Sequence, residues 1–298
     1  MSPLSVTLRD ARSRLISALG LEPEVAALEA HVLLGHALHK PRAYLLAYPE
    51  ALLDATNLAA FEALLQRRLA GEPIAYILGR REFYGLEFEV SPAVLIPRPE
   101  PELLVELALE HIPTQQPTQV LDLGTGSGAI AITLAKLRPQ AQVTAVDVSP
   151  DALAIARHNA ARLGANDVRF IASDWFQDVD PQNRFELIVA NPPYIAENDP
   201  HLRQGDVHLE PLRALQSGAD GLDAIRRIAK ESRRFLSARG QLMFEHGFDQ
   251  QQACADLLAS QELVQVELGG LNITPKPGGE DRNPKAEKQA VEPGTGFY

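Results

Sequence analysis

Apolar residues Leu8, Ala11, Leu15 and Leu19 recur three and four positions apart, which lines one face of a helix over residues 7–19, and Gly20 supplies its stop. A second helix is predicted over 23–38, where Pro23 suits a first turn whose N–H groups have no partners. A third runs over 54–70, capped by Asp54 and ended by Gly71. Leu and Ala, strong helix formers, dominate all three. They predict a small bundle without evident chemistry. Between residues 76 and 90 the period changes: REFYGLEFEV alternates and turns at Gly85, the pattern of a β-hairpin. The connector SPAVLIPRPEPE follows, stiffened at Pro92, Pro97, Pro99 and Pro101, and marks the domain junction. Hairpin and connector are expected to pack against one or both domains.

Beyond the connector, period-2 and period-3.6 segments alternate. TQVLDLG, QVTAVDV, DVRFIAS, FELIVAN and GQLMFEHG are the predicted strands. Helices are predicted over 129–137, 151–163, 222–236 and 249–260. The fold class is therefore α/β, a mainly parallel sheet with helices on both faces. In such sheets ligands bind outside the carboxyl ends of the strands.

Composition narrows the class. With 298 residues, 45% of them hydrophobic, the chain can build one large domain or a large and a small one. One cysteine, Cys254, excludes a disulfide framework and any zinc site with several thiolates, and it fits a reducing cytosol. Its helical context, QQACADLLAS, assigns it to core packing. The charged N-terminus lacks the apolar segment of a signal peptide, and no run is long enough to span a bilayer, so the expected location is cytoplasmic. The net charge of −11 makes nucleic acid a poor partner, and the short basic run RREF reads as a solvated face. His31, His36 and His39 share a helix, but no carboxylate or thiol is spaced to complete a metal site; they read as surface and packing residues, and no metal is expected.

Three strand ends carry candidate chemistry. LDLGTGSG places Gly124, Thr125, Gly126, Ser127 and Gly128 in a tight strand-to-helix turn that a ligand can approach closely, next to free helical N–H groups. Asp147 ends the next strand, about twenty residues on, the spacing at which a carboxylate accepts ribose hydroxyls. The pair points to a nucleoside-bearing cofactor. The spacing G-x-G-x-G, in place of G-x-G-x-x-G, favours a ligand without a pyrophosphate. In ASDWF, Asp174 is placed to take an adenine amino hydrogen, while Trp175 either flanks the ring or fills the core. At the fourth strand end, Asn191, Pro192, Pro193 and Tyr194 interrupt an apolar run with a rigid turn. That turn either caps a strand or aims an amide and an aromatic ring at a substrate.

Together these motifs resemble a class I S-adenosylmethionine-dependent methyltransferase, a Rossmann-like fold. The NPPY subgroup acts on nitrogens whose lone pair is delocalised, either an amide or an exocyclic base amine. The resemblance extends to PIAYILGRREFYGLEFEVSP, VLIPRPEPELLVELAL, SDWF, NPPYIAENDPHL, GDVHLEPLRAL, GADGLDAIRRI and FEHGFDQ, which are similar to the HemK/PrmC family. That family methylates the side-chain nitrogen of the glutamine in the Gly-Gly-Gln motif of class I peptide chain release factors.

The resemblance implies S-adenosylmethionine on Gly124–Gly128, Asp147, Asp174, Trp175 and Asn191. It implies catalysis by Asn191, Pro192 and Tyr194, with Pro193, Arg98 and Glu100 also bordering the substrate. It further implies an N-terminal helical domain (1–73) that binds the release factor, a hairpin and linker (74–100), and a methyltransferase domain (101–275). The expected partner is the release factor, with no direct DNA binding and no membrane, and with the chain a monomer.

Two departures stand out. Pro101 replaces the family's usual threonine at a helix start, a tolerable change. After GGEDR the expected last apolar strand gives way to a polar, proline-rich tail (276–298) that reads as disordered. The sheet then either lacks that strand or recruits LNIT at 271–274, and without it an exposed edge and lower stability are expected. The competing readings are an adenine-N6 DNA methyltransferase, a glutamine methyltransferase of a large-subunit ribosomal protein, and a non-catalytic binding protein.

Overall fold

The computed structural model describes residues 2–203 and 205–261. In chain order, strand β1 (Ser2–Pro3) leads into helices α1 (Leu4–Leu19), α2 (Pro23–Leu38) and α3 (Arg42–Ala47). Strand β2 (Leu52–Leu53) pairs antiparallel with β1, and α4 (Ala55–Leu69) and α5 (Ile74–Leu78) complete the helical unit. Gly20 ends α1 with φ 65°, and the Asp54 side chain accepts from the Asn57 N–H at the start of α4, as the sequence predicts. Leu15, Leu33, Leu34, Phe61 and Leu65 form its fully buried core. The short helices α3 and α5 each start behind a proline, Pro41 and Pro73, and are too brief to show a period in the sequence. As a result, residues 76–78, expected as the head of the hairpin, end a helix.

The hairpin strands are β3 (Arg80–Phe83) and β4 (Leu86–Glu89), joined where Tyr84 and Gly85 both take positive φ, 53° and 72°. Helix α6 (Pro101–His111) carries Pro101 in its first turn. Then follow β5 (Thr118–Leu123), α7 (Ala129–Leu137), β6 (Ala141–Asp147), α8 (Pro150–Leu163), β7 (Arg169–Ala172), β8 (Phe185–Ala190), α9 (Asp223–Ser232), β9 (Leu236–Phe244) and α10 (Gln251–Ser260). The helix expected over 222–236 stops at Ser232, because residues 233–235 form a tight turn and the Phe235 carbonyl accepts from Phe185 N.

The five strands form one parallel sheet in the order β7-β6-β5-β8-β9. Alternate residues feed its two faces. Val120, Val143, Leu187 and Met243 meet α6, α7 and α8, whereas Leu121, Val146, Ile188 and Leu242 meet α9 and α10. Burial on both faces explains why these strands read as nearly continuous apolar runs. Cys254 is fully buried in the second layer. The hairpin joins the first layer through Phe83 and Phe88, and Asn159 of α8 both accepts from Glu89 N at 2.8 Å and donates to Glu89 O at 3.0 Å. Residues 262–298, which include LNIT, GGEDR and the tail, lie outside the described residues, and so does the expectation about the last strand.

One buried ion cluster ties the helical unit to the sheet domain. Arg68 of α4 is 3% exposed. It donates to both Glu29 oxygens of α2 at 2.8 and 3.1 Å, and to Asp206 Oδ1 at 2.8 Å. Asp206 belongs to the 3-10 turn Gly205–Leu209, downstream of Tyr194 in the loop between β8 and α9. Removing the guanidinium would leave Glu29 facing the interior without a cation. Arg68→Ala is therefore expected to lower unfolding free energy by about 3–5 kcal/mol in urea titration, whereas a loss below ~1 kcal/mol would mark the cluster as solvent-screened.

Candidate functional site

The sheet register assembles the site. Val146, Leu123, Ala190 and Phe244 pair across β6, β5, β8 and β9 as one rung. The next residue on each strand is Asp147, Gly124, Asn191 and Glu245 in turn. Four functional groups thus leave the sheet side by side. Helix α7 departs to one face and α9 to the other, so the crevice of a topological switch point opens between Gly124 and Asn191.

The turn after β5 is fastened to its neighbour, with the Gly124 and Thr125 N–H groups both donating to Val146 O at 2.9 Å. Gly124, Gly126 and Gly128 hold φ of 73°, 55° and 84°. At Gly128 a Cβ would come within 2.6 Å of Ile132 Cδ1 and 3.2 Å of Ala156 Cβ, so the turn lies flat on α7 and α8. At Gly126 a Cβ would meet nothing within 4 Å, which leaves this edge open to a ligand. Thr125 and Ser127 turn inward. The Thr125 hydroxyl donates to Asp122 Oδ2 at 2.6 Å, and the Ser127 carbonyl accepts from Asn159 Nδ2 at 2.9 Å.

Asp122 is wholly buried, and its Oδ1 has no hydrogen-bond partner. Burial pushes its carboxyl up to about 7, against the pull of the Thr125 hydroxyl and the Ala131 N–H, while the charge of Asp147 adds to the rise. Asp147 itself is held at both oxygens, by Gly126 N at 2.9 Å and Ser149 N at 2.8 Å, and is half-buried at the rim. Trp175 takes φ 56°, and its ring stands 3.5 Å from a Cβ placed on Gly124. It is half-buried and packs on the second core layer, which is the core-filling alternative of the two. Asp174 is engaged by Arg227 of α9, at 2.7 Å on Oδ2 and 3.1 Å on its carbonyl.

Beyond Ala190, β8 cannot continue, because Pro192 and Pro193 have no N–H to donate. Asn191 is half-buried and Pro192 buried. Pairing resumes only at Ile195, whose N–H donates to Leu215 O at 2.9 Å. Tyr194 is gripped at both ends. Its hydroxyl donates to Glu245 Oε1 at 2.9 Å, and its carbonyl accepts from Gln250 Nε2 at 2.9 Å. Gly221 presses on the same carbonyl, where a Cβ would lie 2.2 Å away. Burial drives the Tyr194 hydroxyl above its ordinary value and the Glu245 carboxyl up to about 7, and the charge of Glu100 raises both. The connector's Glu100 is thus near enough to act on both groups. Arg98, however, is paired with Glu210, whose other oxygen accepts from Ile96 N at 2.9 Å. Its guanidinium thus fastens the connector to the loop after β8.

Asp122, Asn159, Glu210, Glu245 and Gln250 are structural or site residues that the sequence reading did not single out. Two left a signal. Glu245 ends the apolar run LMF just as Asp147 ends TAV, and Asn159 falls on the buried stripe of α8 with Ala152, Ala156 and Ala160. Glu210 and Gln250 act through long-range contacts that no local pattern encodes.

Comparison with known proteins agrees along the chain. Residues 104–206 match the model of the methyltransferase small domain, and residues 7–79 that of the PrmC N-terminal domain. A release factor glutamine methyltransferase of Vibrio cholerae is 51% identical over 232 residues, 78% of this chain and 81% of that protein. The protein of the same name from Bordetella pertussis is 48% identical, over 85% of this chain and 93% of its own length. That from Escherichia coli K12 is 46% identical, over 83% and 86%.

Asp122 sets a pH dependence of stability. An unfolded chain releases its proton near 3.8, whereas the folded protein keeps it until about 7. Stability from this group is thus complete at low pH and is lost as pH rises through that window. Asp122→Asn keeps an acceptor for Thr125 and cannot ionise. Its melting temperature relative to wild type is expected to rise between pH 5 and pH 8 in calorimetry; an offset independent of pH would count against a neutral Asp122.

Proposed function

The chain belongs to the release factor glutamine methyltransferase family, and from that premise we propose how its residues divide the reaction among them. The enzyme is an S-adenosylmethionine-dependent protein-glutamine N-methyltransferase that acts on a release factor. The open edge at Gly126, the prearranged carboxylate of Asp147 and the aromatic wall of Trp175 fit that cofactor. When bound, S-adenosylmethionine supplies a methyl group on a positively charged sulfur. On this reading Gly124 to Gly128 approach the cofactor through backbone, Asp147 accepts its ribose hydroxyls, and Asp174 and Trp175 border the adenine.

The observation that carries the substrate assignment is the rigid turn from Asn191 to Tyr194, which leaves the sheet on the same rung as the glycine turn. A glutamine amide nitrogen is a poor nucleophile because its lone pair is shared with the carbonyl. In our reading the Asn191 side-chain carbonyl and the Pro192 backbone carbonyl accept its two N–H bonds and fix the direction of that lone pair. Tyr194 closes on the planar face. No base need act before transfer, since the charge of the donor disappears and the proton can leave afterwards. Orientation and fixed dipoles in a dry site therefore carry the rate.

The finer assignments extend this reading. The substrate is the glutamine of a Gly-Gly-Gln motif in class I release factors, and the helical domain (1–73) docks the same protein away from that residue. A cavity of about 470 Å³ lies between α2, α5, the hairpin and the connector, with Val25, Leu28 and Val32 on one wall and Ile96 and Arg98 on the other. The enzyme works as a monomer in the cytoplasm and does not bind DNA, in keeping with its acidic balance. Among the described residues no helix is long and apolar enough to cross a membrane.

The test is mass spectrometry after incubation with S-adenosylmethionine and a release factor, beside a copy with the Gly-Gly-Gln glutamine changed to alanine and an adenine-rich duplex. Methyl is expected on that glutamine alone. Methyl on the duplex or the alanine copy would overturn the assignment. Asn191→Ala, at a residue expected to touch both cofactor and substrate, is expected to lower kcat by ~100-fold or more.

A further inference from the structure

Among the buried acids that the mechanism above leaves unused, Glu245 lies directly behind Tyr194. Glu245 follows β9 on the rung that carries Asn191, and it is 7% exposed. Its backbone N–H donates to Ala190 O at 3.1 Å, one residue before Asn191. Oε1 accepts the Tyr194 hydroxyl, and Oε2 has no hydrogen-bond partner. A few residues on, Gln250 Oε1 accepts from Gly247 N at 2.9 Å while its Nε2 holds the Tyr194 carbonyl. The segment from Glu245 to Gln250 thus grips the aromatic residue at its ring tip and at its backbone. A hydrogen bond at the hydroxyl, which lies on the long axis of the ring, fixes where the ring tip sits and so restrains χ1, while χ2 is left to the surrounding packing.

We propose that Glu245 is a positioning residue for methyl transfer, fixing the Tyr194 ring against the substrate amide from behind the site. This rests on the reading that Tyr194 faces that amide. The groups bearing on Glu245 are the Tyr194 hydroxyl, which favours its charge, and Glu100 of the connector, which opposes it; Arg98 acts on Tyr194 in turn. Burial holds the Glu245 carboxyl up to about 7. Raising the pH through that value converts the phenol contact to a charge-assisted hydrogen bond and tightens the grip.

The experiment compares Tyr194→Ala, Tyr194→Phe, Glu245→Ala, Glu245→Gln and the double variant Tyr194→Phe/Glu245→Ala in the full chain. The readouts are kcat and KM on a release factor, and S-adenosylmethionine affinity by calorimetry. Glu245→Ala and Tyr194→Phe are each expected to lose roughly 10- to 100-fold in kcat, with cofactor Kd within about 3-fold of wild type. The double variant should lose no more than either single change, because both break one contact. Glu245→Gln should recover part of the loss by retaining an acceptor. It should also flatten the rise of kcat across pH 6–8. Wild-type kcat in Glu245→Ala, or losses that multiply in the double variant, would overturn the proposal. If Glu245→Ala does not fold, an unaltered pH profile in Glu245→Gln would do so instead. Wild-type kcat in Tyr194→Ala would refute the role of Tyr194 itself, which separates the two failures.

Discussion

Parallel pairing between β5 and β8 in one fixed register is the constraint on which the site depends. Leu123 faces Ala190 across that ladder, so Gly124 and Asn191 emerge together, and the same rung delivers Asp147 and Glu245 on either side. Slipping one strand by a single residue would turn its side chains to the opposite face and exchange an acid for an apolar neighbour. The two apolar layers prevent this. Each places bulky residues from alternate positions of the same strands against its own helices, so a shifted register would have to repack both layers.

Two carboxyl groups are kept near neutrality behind the working surface. Asp122 lies under the glycine turn and Glu245 under Tyr194, and each has one oxygen bonded to a hydroxyl and one without a partner. An unsatisfied buried carboxylate oxygen is costly, so each acid settles at the edge of ionisation. The visible face of the site, by contrast, is built from groups with settled partners. Asp147 accepts backbone N–H bonds at both oxygens, and the Tyr194 carbonyl is held by Gln250.

Most of the fold was legible in the sequence because the information was local. The period of α1, the proline heading α2 and the Asp54 cap each depend on neighbours a few positions away, and these helices formed where expected. The glycine turn, Asp147 and Asn191 were legible for the same reason, as strand ends with the wrong chemistry for a core. The helix start at Leu4, the helix over 74–78 and the early start of β9 at Leu236 were not, since each follows from tertiary pairing. Arg98 shows the limit most plainly. The family resemblance marked it as a site residue, but nothing in its neighbourhood shows that its guanidinium pairs with Glu210, more than a hundred positions away.

The Arg68 cluster bears on how such enzymes can be recombined. Sequence divides the chain neatly at its proline-rich connector, which invites the exchange of helical domains between relatives to alter substrate choice. Glu29 and Arg68 would travel with the donated part, but Asp206 would stay with the recipient. The functional seam is therefore not the connector. It passes through the loop after the Asn191 turn, and a hybrid that respects only the linear boundary would inherit half of an electrostatic lock.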